Sequence, residues 1–157
     1  MSVEFSAEVR GELQRIVSRY PTPEAAILPA LYLAQREFGH VSLEAMSLVA
    51  RELSVSPARI FGVATFYTMF NKEPVGKHLV QVCMNLPCML MGAGEVFEYI
   101  SKKLGIKDGE TTPDGKFTLM KVECLGACGN APMMQINEDY HEDLTPEKVD
   151  QILDALK

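Results

Sequence analysis

The residues of this chain best suited to chemistry are four cysteines, Cys83, Cys88, Cys124 and Cys128. They form two local pairs, C-x4-C and C-x3-C, separated by 35 residues. In a reducing compartment such pairing points to metal binding rather than to structural disulfides. Zinc favours four-cysteine sites built from knuckles of this width. A [2Fe–2S] cluster takes two thiolates on each iron, and its broader rhomb suits wider local loops. Spacing alone leaves cluster, zinc, and disulfides or free thiols open.

The residues around the cysteines favour a cluster. Leu125-Gly126-Ala127 and Gly129 flank the second pair, and Gly92 and Gly94 follow the first. Glycines let backbone N–H groups approach sulfur, and such hydrogen bonds tune reduction potential, with ordinary turn glycine as the other reading of each. Met84, Met89, Met91, Met133 and Met134 are read as adaptable core or interface filling, with an apolar shell about the site as the other reading. Thiol–disulfide exchange on this scaffold calls for C-x-x-C at the start of a helix, and here four residues separate the first two cysteines. The three histidines, His40, His78 and His141, read as surface or turn residues. Glu12, Glu24, Glu37 and Glu52 fall on outward helix faces. There is no G-x-G-x-x-G after a strand and no P-loop, so the chain is expected to bind neither NAD nor FMN by itself.

The elements that must position the cysteines lie in the second half. His78 to Cys83 reads as a strand, and Ala93 to Leu104 as a helix closed by Gly105. Thr112-Pro113-Asp114-Gly115 is a turn, followed by a strand from Phe117 to Glu123. Pro132 to Asn137 and Tyr140 to Leu144 form a hairpin about Glu138-Asp139, and Thr145-Pro146 caps a last helix. The order is β-α-β, then β-β-α, a thioredoxin-like core. Two strands joined through a crossover helix are parallel, so both end at the same sheet edge. Cys83 and Cys88 follow the first strand and Cys124 and Cys128 the second, which brings both pairs to one rim.

The first half reads as an antiparallel helical bundle. Val9, Leu13, Ile16 and Val17 mark the first helix, and Ile27, Leu28, Leu31 and Ala34 the second, which starts at Thr22-Pro23 and ends near Gly39. Ser42 caps a third helix with Leu43, Met46, Val49, Ala50 and Leu53 inward. Ser56-Pro57 opens a fourth, in which Ile60, Val63, Ala64, Tyr67 and Phe70 face the core and Phe66 is also read as core. The fold class is thus α+β, with a helical bundle over residues 1–75 and a thioredoxin-like domain over 76–157, joined near Asn71 to Lys77.

Hydrophobic residues make up 47% of the chain, so a real core can be buried. The net charge of −6 repels phosphate backbones, which argues against nucleic acid as a partner. No apolar run approaches the ~20 residues of a membrane span, and no signal or transit peptide is visible. The expectation is a cytoplasmic protein that docks on a membrane-bound partner.

Several motifs, in order, carry a family resemblance. Cys83-x4-Cys88 with Met89-Leu90-Met91-Gly92, then Thr112-Pro113-Asp114-Gly115-Lys116-Phe117, then Cys124-Leu125-Gly126-Ala127-Cys128 with Ala131-Pro132, resemble the thioredoxin-like [2Fe–2S] subunit of NADH:quinone oxidoreductase, respiratory complex I. Phe38-Gly39-His40-Val41 and the run from Gly62 to Phe70 resemble the stretches ahead of that family's cluster domain, so the similarity covers nearly the whole chain. The resemblance implies that Cys83, Cys88, Cys124 and Cys128 ligate one [2Fe–2S] cluster. It implies docking on the flavin- and NADH-binding subunit, where FMN is held and exchanges single electrons with the cluster. It implies a cytoplasmic position, peripheral to the inner membrane through partner subunits, and a chain that is not catalytic alone. It places at Pro132 the proline that such folds usually hold in cis. Closely similar modules serve NAD-linked hydrogenases and formate dehydrogenases, and a four-cysteine zinc interaction module is the remaining alternative.

Overall fold

The computed structural model describes residues 3–156. Its contacts divide the chain into two compact units, Met1–Pro74 and Val75–Lys157.

The first unit holds four α-helices among the described residues: α1 (Ala7–Val17), α2 (Ile27–Phe38), α3 (Leu43–Leu53) and α4 (Pro57–Phe66). Their starts are set by side-chain caps. The hydroxyls of Ser6, Ser42 and Ser56 accept from the N–H three residues on, which satisfies donors that a helix start leaves unpaired. Thr22 and Pro23 instead open a single 3-10 turn, Pro23–Ala26, before α2 begins. Gly39 ends α2 in the left-handed region. α2 packs against α1, α3 and α4, and the core runs from Phe5 and Leu13 through Leu31 and Val49 to Ile60 and Phe70. Of the four outward glutamates, two bridge helices: Glu12 pairs with Arg36, and Glu52 with Arg10.

Two expectations for this unit are corrected. Phe66 is 76% exposed and Tyr67 also faces outward. Phe66 lies two residues, about 200°, beyond the buried Ala64 on the helix wheel, and α4 stops there, so Tyr67 turns away in extended backbone. Leu43 is exposed although it shares the inward stripe of α3. It is the first helical residue, and side chains tilt toward the helix N-terminus, so it points past the layer it would otherwise cover.

The second unit has β1 (His78–Cys83), α5 (Leu86–Leu90), α6 (Ala93–Leu104), β2 (Phe117–Val122), β3 (Met134–Ile136), β4 (Asp139–His141) and α7 (Pro146–Ala155). The sheet order is β2-β1-β3-β4, with β1 parallel to β2 and antiparallel to β3, and β3 antiparallel to β4. Val80, Val82, Leu119, Met134 and Ile136 pack with Phe97 and Ile100 of α6 and with Val149 and Leu153 of α7. The hairpin turn is Asn137-Glu138, one residue earlier than expected, because Ile136 pairs with Asp139 and Asn137 takes the left-handed conformation. His78 is also corrected. Only 9% exposed, it is a core residue: the parallel register sets it opposite Phe117, ring centroids 5.3 Å apart.

Candidate functional site

β1 ends at Cys83, whose register partner is Val122, the last residue of β2. The backbone closes this rim tightly. The Met84 N–H donates to Val122 O (2.8 Å) and the Cys83 N–H to Met133 O (3.2 Å). Cys88 then sits on α5, a helical turn where the periodicity alone announces no element. A local signal for it does exist in Asn85-Leu86-Pro87: Asn85 Oδ1 accepts from the Leu86 N–H at 2.8 Å, and the proline occupies the first turn. Asn85 Nδ2 also donates to Glu123 Oε2 (3.2 Å), the residue before Cys124, so one side chain ties the two cysteine segments together.

The four cysteines share one neighbourhood but not one environment. Cys83 and Cys88 are buried, while Cys124 and Cys128 are exposed. Cys83, Cys88, Ala93 and Met133 form a small apolar core of their own, and Leu125, Ala127 and Ala131 of the second cysteine loop pack against it together with Met84. Of the five methionines considered for a shell, Met84 and Met133 line this core. Met134 belongs to the sheet core, and Met89 and Met91 are exposed. Pro132, preceded by a cis peptide bond, is buried beside Met133.

The thiols report the crowding. Burial pushes Cys88 up to about 11; the adjacent Cys83 thiol and the charge of Cys128 act in the same direction, while the Met133 backbone opposes them. Cys128 is raised as well, by desolvation first, then by the adjacent Cys124 and the charge of Cys83. The sulfurs are therefore gathered as two adjacent pairs within electrostatic reach of each other. One tetrahedral zinc would hold four sulfurs at about 2.3 Å from a common point. A cluster would take two thiolates on each of its two irons, and four thiols in two pairs supply that number.

The thioredoxin-like [2Fe–2S] ferredoxin family profile matches residues 13–157. The chain belongs to this family. Membership implies a [2Fe–2S] cluster. Among its relatives, an NADH-quinone oxidoreductase subunit of Rickettsia bellii is 52% identical over 146 residues, covering 90% of this chain and 87% of its own. The mitochondrial NADH dehydrogenase [ubiquinone] flavoprotein 2 of Dictyostelium discoideum is 48% identical over 98% of this chain, which spans 64% of that protein's length. The chain is a homologue of these subunits. In fold it also resembles part of an NAD+-reducing [NiFe]-hydrogenase, with a TM-score of 0.73 at 20% identity, over 83% of this chain and 22% of that one. Among the described residues, no helix is long and apolar enough to cross a membrane.

Proposed function

We propose that this chain is the thioredoxin-like electron-transfer subunit of an NADH:quinone oxidoreductase, with Cys83 and Cys88 holding one iron of its [2Fe–2S] cluster and Cys124 and Cys128 the other. The single observation behind the assignment is the small core in which Cys83 and Cys88 meet Leu125 and Ala127 of the opposite loop. When bound, such a cluster supplies a one-electron couple.

The chain's own residues divide the work. Ala93 and Met133, both fully buried, keep water from Cys83 and Cys88. The Met133 backbone group beside Cys88 favours its thiolate form. Cys124 and Cys128 face outward, which makes their side the natural place for electrons to enter and leave. The partner is the flavin- and NADH-binding subunit, whose FMN exchanges single electrons across that face. The chain itself carries no dinucleotide-binding fingerprint, so hydride chemistry belongs to the partner. Docking of this kind puts the protein in the cytoplasm, peripheral to the inner membrane.

Anaerobic iron and sulfide analysis, with electron paramagnetic resonance after reduction, tests the site. Two irons, two sulfides and a spin-half reduced signal are expected, and serine at any of the four cysteines should alter or abolish that signal. A colourless protein with stoichiometric zinc would overturn the assignment. Co-purification with an FMN-bearing subunit tests the partner.

A further inference from the structure

The exposed cysteine pair lies on a stretch with little regular structure, since between β2 and β3 the chain forms only a single 3-10 turn, Cys128–Asn130. Its order comes from outside. Residues 140–144 run alongside as a strap. Tyr140 Oη donates to Leu125 O at 2.6 Å, and Asn130 Nδ2 donates to Glu142 Oε2 at 3.1 Å. The backbone N–H groups of Asp143 and Leu144 donate to Asn130 O (2.8 Å) and Pro132 O (3.0 Å). The strap is itself anchored. Lys148 Nζ on α7 donates to Glu142 O (2.6 Å), and the Leu144 side chain is buried in the sheet core.

Within this arrangement Tyr140 reaches furthest into the site, because Leu125 lies between the two exposed cysteines. Fixing the Leu125 carbonyl fixes the Leu125–Gly126 peptide plane. Gly126 follows at φ +85° with nothing within 4 Å of a Cβ built there, so its own surroundings do not restrain it. We infer that Tyr140 is a positioning residue for the Cys124–Cys128 pair, acting through the Leu125 carbonyl. The inference rests on the reading that these cysteines ligate the cluster. The buried pair is held differently, by the end of β1 and by α5.

The test is Tyr140→Phe in the full-length, cluster-bearing protein, which removes the hydroxyl and keeps the ring. Cluster loss under excess iron chelator, followed by visible absorbance, should accelerate about five-fold, the size of one net hydrogen bond. The reduced resonance signal should broaden. Tyr99→Phe is the control, since it removes a hydrogen bond to Asp150 Oδ2 (2.8 Å) that joins α6 to α7 away from the cysteines. It should leave both readouts at their wild-type values. A Tyr140→Phe loss rate within two-fold of wild type, or an equal acceleration in Tyr99→Phe, overturns the inference. Should Tyr140→Phe not accumulate as folded protein, Tyr140→Leu, which also removes the hydroxyl, carries the same expectations. Wild-type protein lacking iron and sulfide would overturn the ligand reading and this inference with it. Wild-type protein holding both, beside an unchanged Tyr140→Phe, would overturn the inference alone.

Discussion

Gly76→Ala should break the site from its far end. Gly76 precedes β1, and its N–H donates to Thr118 Oγ1 of β2 at 2.6 Å. A Cβ at this position would stand 2.8 Å from the carbonyl carbon of Phe117, 3.0 Å from its nitrogen and 3.0 Å from the nitrogen of Thr118. All three are backbone atoms of the neighbouring strand, so no side chain can swing aside and the strands themselves must part. Overpacking costs about 1–3 kcal/mol, and a clash with backbone belongs at the upper end. For a domain of this size each kcal/mol lowers the melting temperature by about 4–8 °C, so a loss of about 10–20 °C is expected. The β1–β2 pairing also sets Cys83 opposite Val122, so the visible absorbance of the cluster should vanish in the same transition. The assay is thermal unfolding followed at once by circular dichroism and by visible absorbance; the second signal isolates the cysteine-bearing unit. The same substitution at Gly11 and Gly62 should have the opposite sign. Both lie within helices with nothing within 4 Å of the added carbon, and alanine there gains about 0.5–1 kcal/mol. A Gly76→Ala midpoint within about 2 °C of wild type would show that the strands accommodate the methyl group and that the clash does not govern this edge.

Three further outcomes are expected. His78 is buried with its Nε2 unpaired, and burial, then Lys77 and Lys116, lowers its pKa below the ordinary 6.5. The unfolded chain therefore takes up this proton first, and the folded state loses stability as pH falls below about 6.5. His78→Leu should raise stability near neutral pH by about 1–3 kcal/mol and flatten that part of the pH–stability curve, and an unaltered curve from denaturant melts would count against it. Phe66→Ser should change stability by no more than about 0.5 kcal/mol in denaturant melts, because the ring is exposed. In cluster-free protein, Cys88 at about 11 in place of 9.0 holds about a hundredth of the usual thiolate near pH 8. Timed alkylation read by mass spectrometry should therefore find Cys124 modified well before Cys88, and equal rates would argue that the thiols are not arranged as described.

How far the sequence spoke depended on the range of the interaction. Signals contained within a few residues were legible. Ser42, Ser56 and Thr145 each cap the helix their patterns announced, and Gly105 closes α6 in the left-handed conformation. The α+β class and the mixed sheet followed from the order of such segments. The misreadings came from tertiary packing and from where a residue falls at a helix end. His78 is polar in type, and only its register against Phe117 makes it core. Phe66 and Leu43 are apolar in type, and helix geometry turns them outward. Tyr140 gave no sign of its contact with Leu125, which lies 15 residues back and depends on the hairpin folding over the loop. Asn85 could have been found, as an N-cap ahead of a proline, but its bond to Glu123 spans 38 residues and needs the parallel pairing first.

The same topology that gathers the cysteines also makes them unequal. A parallel β1–β2 pair ends both strands at one edge, but Cys83 is still a strand residue when the sheet stops, whereas Cys124 lies two residues beyond it. Cys83 therefore inherits the dryness of the core, α5 folds Cys88 back into it beside Ala93, and Cys124 and Cys128 inherit the solvent. On the proposed reading this asymmetry gives electron transfer a direction. The buried thiolates isolate one side of the cluster, and the exposed pair offers the other. Leu86 and Leu90, which flank Cys88 on α5, are both largely exposed, as is Met91 just after them. Exposed apolar side chains cost nothing in packing, and a partner that covers them gains their burial. A partner seated on α5 would then bury Leu86 and Leu90 beside Cys88, and on the proposed reading the same contact would bring its flavin toward the cysteines.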